Sequence, residues 1–510
     1  MNFAVAVVGL GKLGGPLAAL LAARGNRVFG IDLNPSTVED LNQDKPRSEP
    51  CFATTLKVAR EWLTLTTEFA EAIPQTSAAC VVVPTPSDSA HPRFSPDQVL
   101  SAVERIVEQV TTASLPRYTI DIISTLMPGD CDRVIWPLVK RALLKSSCRI
   151  DLVYSPEFIA LGDVLRGLER PDFLLVGGPS AEANEQVVEL HRSLHSVEVP
   201  VVQTNWINAE LAKLAVNCLL GVKISWANLL AAVCENFSSA DVDEVTRAVG
   251  HDSRIGPKYL TGGLGFGGPC LPRDIRALVS LVGSLEIGTQ LAETIVAWND
   301  GQPARVVDLI SAHLPAGKTV GFLGVTYRED SAVVEASQPL RIAQALARRG
   351  HKVIVFEPLG GSELFTACRE LAASGGELAV ESGGLHFVAT AAECIEQADC
   401  VVLAKRCELW KQVPATSWQQ RVALVFDCWR QLPPAMVESL SGTYLAVGRA
   451  VPAPKPEELR QQCSPDAMPP EPNENRGKST VANPLKGAIL AEMGTARRRP
   501  VERSQSNVIP

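Results

Sequence analysis

The chain reads as an α/β protein: two doubly wound parallel-sheet domains joined by a central helical domain with a long spine helix. Three observations predict this. Short β-rich runs alternate with longer helical patterns at the N-terminal end, the same rhythm returns in the last third, and between them lies a long stretch with almost no glycine or proline. Alternation of strand and helix favours parallel sheets covered on both faces, because every crossover helix must bury its apolar stripe against a sheet.

Taken in order, Ala4–Leu10, Arg27–Asp32, Ala78–Val83 and Thr119–Ser124 are short, rich in β-branched residues and separated by amphipathic or polar connections, so they read as strands of the first sheet. From about Thr204 the pattern changes. Residues 205–237 are interrupted only by Gly221 and read as one helix, capped by Thr204 or Asn205. After Pro315, Thr319–Gly324, Lys352–Glu357, Cys400–Ala404 and Ala423–Asp427 supply the strands of a second sheet. The expected divisions are an N-terminal dinucleotide-binding domain at 1–200, a central helical domain at 201–302 and a C-terminal α/β domain at 303–452. The remainder, 453–510, turns to Pro, Gln, Glu, Asn and Arg and reads as a disordered tail.

A length of 510 residues suits about three domains at roughly 100–200 residues each. Hydrophobic content of 46% with 20% charge is that of a globular enzyme, and a net charge of -8 argues against nucleic-acid or anionic-membrane partners. No run of about 18 consecutive apolar residues suggests a membrane span, and Met1 to Gly9 reads as a strand rather than a leader. The 13 cysteines form no CxxC pair and no zinc-ligand spacing, so they read as small buried hydrophobes of a reducing cytoplasm, with no metal site.

Gly9-Leu10-Gly11-Lys12-Leu13-Gly14 follows the first strand and precedes the apolar run Pro16–Ala23. In this Rossmann-like turn the first glycine permits the tight bend and the second lets a pyrophosphate approach the backbone. The third lets helix pack on strand, with the helix N-terminus facing the phosphates. The second strand ends in Asp32, whose carboxylate can accept hydrogen bonds from a ribose diol and would repel a 2′-phosphate, which favours NAD over NADP. Thr85, in Val83-Pro84-Thr85-Pro86, and Thr125, after Ser124, follow strand ends where a ligand crevice forms; both are equally ordinary turn residues.

Two further features carry chemistry. Glu210, Lys213 and Asn217 recur at i, i+3 and i+7 on the apolar spine helix, so they form one stripe, either a solvated face or a buried set with partners. Thr261-Gly-Gly-Leu-Gly-Phe-Gly-Gly-Pro-Cys270 brings backbone close to a ligand and then presents a thiol, and Pro272-Arg273-Asp274 opens a helix through Ile275–Leu281. A helix start and a neighbouring cation favour thiolate, and a thiol beside a redox cofactor can capture an aldehyde covalently.

With Ser155-Pro156-Glu157-Phe158, the Ala209 to Asn217 helix, Arg254-Ile255-Gly256 and Gly265 to Cys270, the chain resembles the nucleotide-sugar 6-dehydrogenases of the UDP-glucose and UDP-N-acetylmannosamine type, as a divergent branch, from Met1 to about Pro452. The resemblance implies an NAD-dependent four-electron oxidation at C6 of a nucleotide sugar, giving a uronic acid for polysaccharide, in a cytoplasmic homodimer or higher homo-oligomer. It implies Cys270 as the nucleophile that carries a thiohemiacetal and then a thioester, Lys213 and Asn217 at the oxyanion, and Asp274 as base or electrostatic partner. It also implies Glu157 in thioester hydrolysis and Thr125 beside water or the nicotinamide. Arg273 would touch cofactor. Phe158, Tyr259, Gly263, Gly265, Arg328 and Arg430 would hold substrate, with Arg254 reaching the neighbouring subunit's substrate and the C-terminal domain binding the UDP moiety.

The chain departs from the family at Leu271-Pro272-Arg273-Asp274, where Arg replaces a lysine, at Phe158-Ile-Ala-Leu161-Gly162, which lacks a second charged residue, and at Glu335 in place of an arginine. These positions leave the sugar open, with UDP-glucose as the default. Two other readings stay in view: a two-electron dehydrogenase of small β-hydroxy acids, which needs no thiol and no third domain, and a non-catalytic nucleotide-binding scaffold.

Overall fold

A computed structural model describes residues 3–450 apart from 46–48, 88–91, 145, 160, 362–363, 365–367, 369–383 and 420. The expected disordered tail lies outside the described residues.

The first sheet has eight strands: β1 (Ala4–Val8), β2 (Arg27–Ile31), β3 (Leu63–Thr66), β4 (Ala78–Val81), β5 (Arg117–Ile122), β6 (Arg149–Tyr154), β7 (Leu174–Gly177) and β8 (Val201–Thr204). Their order is β3-β2-β1-β4-β5-β6-β7-β8. Strands such as Ala4-Val-Ala-Val-Val8 are apolar on both faces because helices cover both, and two hydrophobic clusters lie on either side. One pairing differs from the parallel expectation: β6 and β7 run antiparallel. The connection from β6 to β7 carries Ser155–Phe158 and the helix Val164–Glu169, which packs into the core on one face of the sheet.

The spine is the helix Trp206–Cys234, and Asn205 is its cap, accepting from the Asn208 N–H at 3.0 Å. By length and composition it could cross a membrane, yet its buried face includes Glu210, Lys213, Asn217 and Asn228, which bond to the surrounding protein. The expected division at 200/201 falls just before β8, which pairs with β7. The division at 302/303 falls inside the continuous helix Gln290–Ser311. Pro303 sits within that helix and cannot donate to the Asn299 carbonyl, which instead receives the Gln338 amide at 3.5 Å.

The second sheet has β9 (Thr319–Leu323), β10 (Lys352–Phe356), β11 (Leu385–Phe387), β12 (Cys400–Leu403), β13 (Leu424–Asp427) and β14 (Thr443–Ala446), in the order β11-β10-β9-β12-β13-β14 and parallel throughout. One of its cores continues into the helical middle through Ala231, Cys234, Val242 and Leu264.

The two sheets repeat one turn. Gly9 and Gly324 both have positive φ, +94° and +92°, and each donates to the carbonyl ending the next strand, Ile31 or Phe356, at 2.8 Å. The following N–H of Leu10 bonds Asp32 at 2.8 Å, and that of Val325 bonds Glu357 at 2.9 Å. Glu357 differs in being buried and paired with Lys405 at 2.8 Å, the two side chains 0% and 3% exposed. Removing one member of such a pair strands the other charge, so Lys405→Met is expected to lower unfolding free energy by about 3–5 kcal/mol in urea titrations. Adding Glu357→Gln should return part of that loss.

Candidate active site

The cofactor turn is built as its glycines require. A β-carbon on Gly9 or Gly14 would collide with the Val82 or Gly9 carbonyl, whereas one on Gly11 would meet nothing, leaving open space where a pyrophosphate must approach. Leu13 packs into the core beneath. Leu10, Gly11 and Lys12 border a cavity of about 340 Å³ whose other wall includes Asp330 and Ser331 near β9. Asp32 borders another of about 220 Å³ with Phe69 and Arg105, its carboxylate fixed by the N–H groups of Leu10 and Asn34 at 2.8 and 2.9 Å. Glycine approach, helix start and a poised acid fit NAD.

The thiol lies in a third cavity of about 400 Å³, lined by Phe158, Lys213, Asn217, Tyr259, Cys270 and Arg328 among others. Cys270 is exposed to it at the start of the helix Leu271–Ser284. Asn217 donates to Asp274 Oδ2 at 2.6 Å, and Arg273 holds Oδ1 at 3.0 Å while stacking over Phe94. Lys213 donates to the Glu157 carbonyl at 2.6 Å, its ammonium 4.7 Å from the centre of the Phe158 ring. The stripe is therefore a buried set with partners. Burial lowers the Lys213 pKa, opposed by Asp274, Cys270 and Glu157. Burial raises that of Cys270, opposed by Arg273 and Lys213 and reinforced by Asp274 and Glu335.

The loop before Cys270 is held from behind. Asn228 accepts from the Gly263 N–H at 2.8 Å and donates to the Leu264 carbonyl at 3.2 Å; Asn299 accepts from the Phe266 N–H at 2.8 Å and donates to the Phe266 carbonyl at 3.0 Å. Gly263 packs against the Trp429 ring, Gly268 against Tyr327, and the Gly268 N–H donates to the Glu335 carbonyl at 3.0 Å. Side chains on these glycines would displace the walls. Beyond the loop a fourth cavity, about 480 Å³, shares Tyr259, Gly267, Leu271, Tyr327 and Arg328 with the thiol cavity and adds Gly265, Lys405, Arg406 and Trp429.

Several expected residues sit elsewhere. Arg430 lies away from the substrate cavities: its side chain is fully buried and pairs with Asp243 at 2.7 and 2.8 Å while donating to the Val447 and Gly262 carbonyls. Its donors are used to tie the second sheet to the helical middle. Arg273 faces Asp274 and Phe94, not the cofactor cavities. Thr85 is buried and Thr125 half-buried, and neither lines the four cavities; Ser124 bonds both N–H and carbonyl of Val83, joining the two strand ends. Arg254 is exposed and paired with Asp252. Glu157 is nearly buried, its carboxylate 3.4 Å from His191.

Glu210 is an anchor, its carboxylate accepting from the N–H groups of Gly129 and Cys131 at 2.6 and 2.8 Å where the next helix begins. Sequence reading missed Asn228, Asn299 and His191. Asn228 carries a signal, since it continues the Lys213 and Asn217 stripe three turns on; Asn299 and His191 depend on distant partners and carry none.

A Rossmann-like turn with a ribose-seeking acid, a cleft thiol beside a buried lysine, and a second sheet with its own large cavity define an NAD-dependent dehydrogenase acting on a substrate that itself carries a nucleotide. The chain belongs to the UDP-glucose/GDP-mannose dehydrogenase family: the family's NAD binding domain matches residues 3–195, its central domain 207–301 and its UDP binding domain 321–434. It is 25% identical over 461 residues to a UDP-glucose 6-dehydrogenase of Rickettsia bellii, covering 88% of this chain and 100% of the relative. To the UDP-glucose 6-dehydrogenase TuaD of Bacillus subtilis it is 30% identical over 360 residues, 70% of this chain and 76% of the relative. The structure of a UDP-glucose dehydrogenase from Pyrobaculum islandicum superposes with a TM-score of 0.76 at 25% identity, covering 88% of this chain and 98% of the other. The UDP-N-acetyl-mannosamine dehydrogenase Cap5O from Staphylococcus aureus shares the fold at 0.66 and 21%, with coverage of 87% and 98%.

Asn299→Ala leaves the Phe266 N–H and carbonyl buried without partners. It should cost about 2–4 kcal/mol in chemical denaturation and raise KM for the nucleotide sugar as the loop loosens.

Proposed function

We propose that this enzyme oxidises the C6 hydroxymethyl group of a UDP-hexose or UDP-N-acetylhexosamine, UDP-glucose being the default, to the carboxylate through intermediates on Cys270. The observation that carries the reading is the placement of the Cys270 thiol, Lys213 and Asn217 on one 400 Å³ cavity that shares walls with a 480 Å³ cavity under the second sheet. A sugar in the first and a nucleotide in the second would put C6 at the thiol. NAD, when bound, accepts one hydride in each of the two oxidations.

The alcohol gives up a hydride to the nicotinamide and its proton to a water held by Asp274, itself fixed by Asn217, and becomes an aldehyde, with Lys213 as the buried polar group that steadies the oxygen. Because burial raises its pKa, Cys270 rests as a thiol. Lys213 and Arg273 are the charges that draw out the thiolate, which adds to the aldehyde to form a thiohemiacetal. Loss of a second hydride and a proton gives the thioester. Water then attacks, Glu157 takes its proton, and the C–S bond breaks to release carboxylate and thiol. Tyr259 and Arg328, on the walls common to both cavities, would span sugar and pyrophosphate.

The outer face of the spine helix exposes Leu219, Trp226 and Val233, and the turn after it Phe237, an apolar surface that supports a homodimer, with the exposed Arg254, paired to Asp252, placed to meet a neighbouring subunit. Cysteines among the described residues are all free thiols, as suits a reducing cytoplasm, where the uronic acid would feed polysaccharide synthesis.

Purified enzyme with NAD and a panel of UDP- and GDP-sugars is expected to form two NADH per sugar consumed. Cys270→Ser should lower turnover by at least ~10³-fold. One NADH per sugar, or full activity in that variant, would point to a two-electron dehydrogenase, and silence across the panel to a binding protein.

A further inference from the structure

Beside Glu157 lies a buried polar cluster that the chemistry above leaves unused. His191, near the end of the helix Ala181–Arg192, is 1% exposed. Its Nε2 lies 2.9 Å from Asp121 Oδ2 on β5 and 3.2 Å from the hydroxyl of Ser155, which itself donates to Asp121 Oδ1 at 2.6 Å. The other nitrogen, Nδ1, is buried without a well-aligned hydrogen bond and stands 3.4 Å from Glu157 Oε1. A histidine that merely satisfied a core aspartate would need only its Nε2. This one is bracketed by two carboxylates, one sealed in the sheet and one on the segment that enters the thiol cavity at the next residue, Phe158.

Charges on the neighbouring elements fit the same arrangement. Cys80 on β4 lies 3.9 Å from Asp121, and burial with Asp121 and Glu157 pushes its thiol well up, so it stays neutral. His195, one turn on, is pushed down by burial and by His191. On His191 burial works against the proton, but the bonds to Asp121 and Glu157 outweigh it and raise the pKa to about 10. Lys213 hydrogen-bonds Glu157 through its backbone carbonyl. After Glu157 the chain runs Phe158-Ile159, with no second carboxylate through Gly162 to share its task.

We propose that His191 is a positioning residue for thioester hydrolysis: anchored by Asp121 and Ser155, its imidazolium fixes the Glu157 carboxylate for proton abstraction from water, and it serves neither hydride transfer. The inference rests on the four-electron reading and adds a residue to it. No atom leaves His191 in this step; the proton from water passes to Glu157 as the C–S bond breaks.

The test uses His191→Gln, which keeps an amide at the Nε2 position for Asp121, and His191→Asn, which keeps one at the Nδ1 position beside Glu157. Each is mixed with NAD and UDP-glucose, or the panel sugar that turns over, and followed by stopped-flow absorbance and intact mass. In H191Q the first two NADH per active site should form at the wild-type rate, steady-state turnover should fall about 10- to 100-fold, and a sugar thioester should accumulate on Cys270. H191N should recover part of the hydrolysis despite losing the Asp121 bond. In the E157Q background H191Q should add no further loss, since both changes act on one step.

Equal slowing of burst and steady state, absence of the adduct, or additive losses in the double variant would overturn the assignment. If H191Q does not fold, the Asn variant and the double-variant comparison built on it decide. A wild-type ratio of one NADH per sugar defeats the four-electron reading itself. A ratio of two with no thioester in the His191 variants defeats only the role given to His191.

Discussion

Burial of a polar row along one face of an apolar helix is the constraint on which the site depends. Glu210, Lys213, Asn217 and Asn228 would each cost several kcal/mol if left unpaired out of water, and each is matched by a different part of the chain. Glu210 meets the backbone where the helix after Gly129 begins, Lys213 the carbonyl of Glu157, Asn217 the carboxylate of Asp274, and Asn228 the glycine loop. The helix thus forces the first sheet, the thiol helix and the loop into one register. Misplacing any of them would leave a polar group stranded.

The same logic explains why so glycine-rich a loop can be well placed. Ten residues with little side-chain bulk have much conformational freedom to lose, and their positions are imposed from outside by two asparagine amides, by the Arg430 guanidinium on Gly262 and by the aromatic faces of Trp429 and Tyr327. Glycine is needed because these walls stand too close for a β-carbon. Cys270 inherits its position at the helix start from that clamp.

Most strands, the spine helix and the cofactor turn were legible because their signals are local: runs of β-branched residues, an unbroken apolar stretch, and three glycines before an acid. Lys213, Asn217, Asp274 and Cys270 were legible through spacing and resemblance. Other features depend on distant partners. That Arg430 is spent on Asp243, or that His191 reaches Glu157, is decided by residues 187 and 34 positions away in the chain, and no local pattern records it. The continuity of the helix Gln290–Ser311 is hidden for a related reason: Gln338, from beyond β9, covers the carbonyl that Pro303 frees.

The repeated turn has a consequence for an enzyme that must handle two nucleotides at once. At the first turn Asp32 stays at the edge of an open cavity with its carboxylate available to a ribose. At the second, one Glu357 oxygen is committed to Lys405 and the other to the backbone of Val325 and Thr326, with no exposed surface on the side chain. A dinucleotide that strayed into the second sheet would find the mark it recognises already sealed, so the second half of the repeated fold does not offer a ribose the acid that the first half offers.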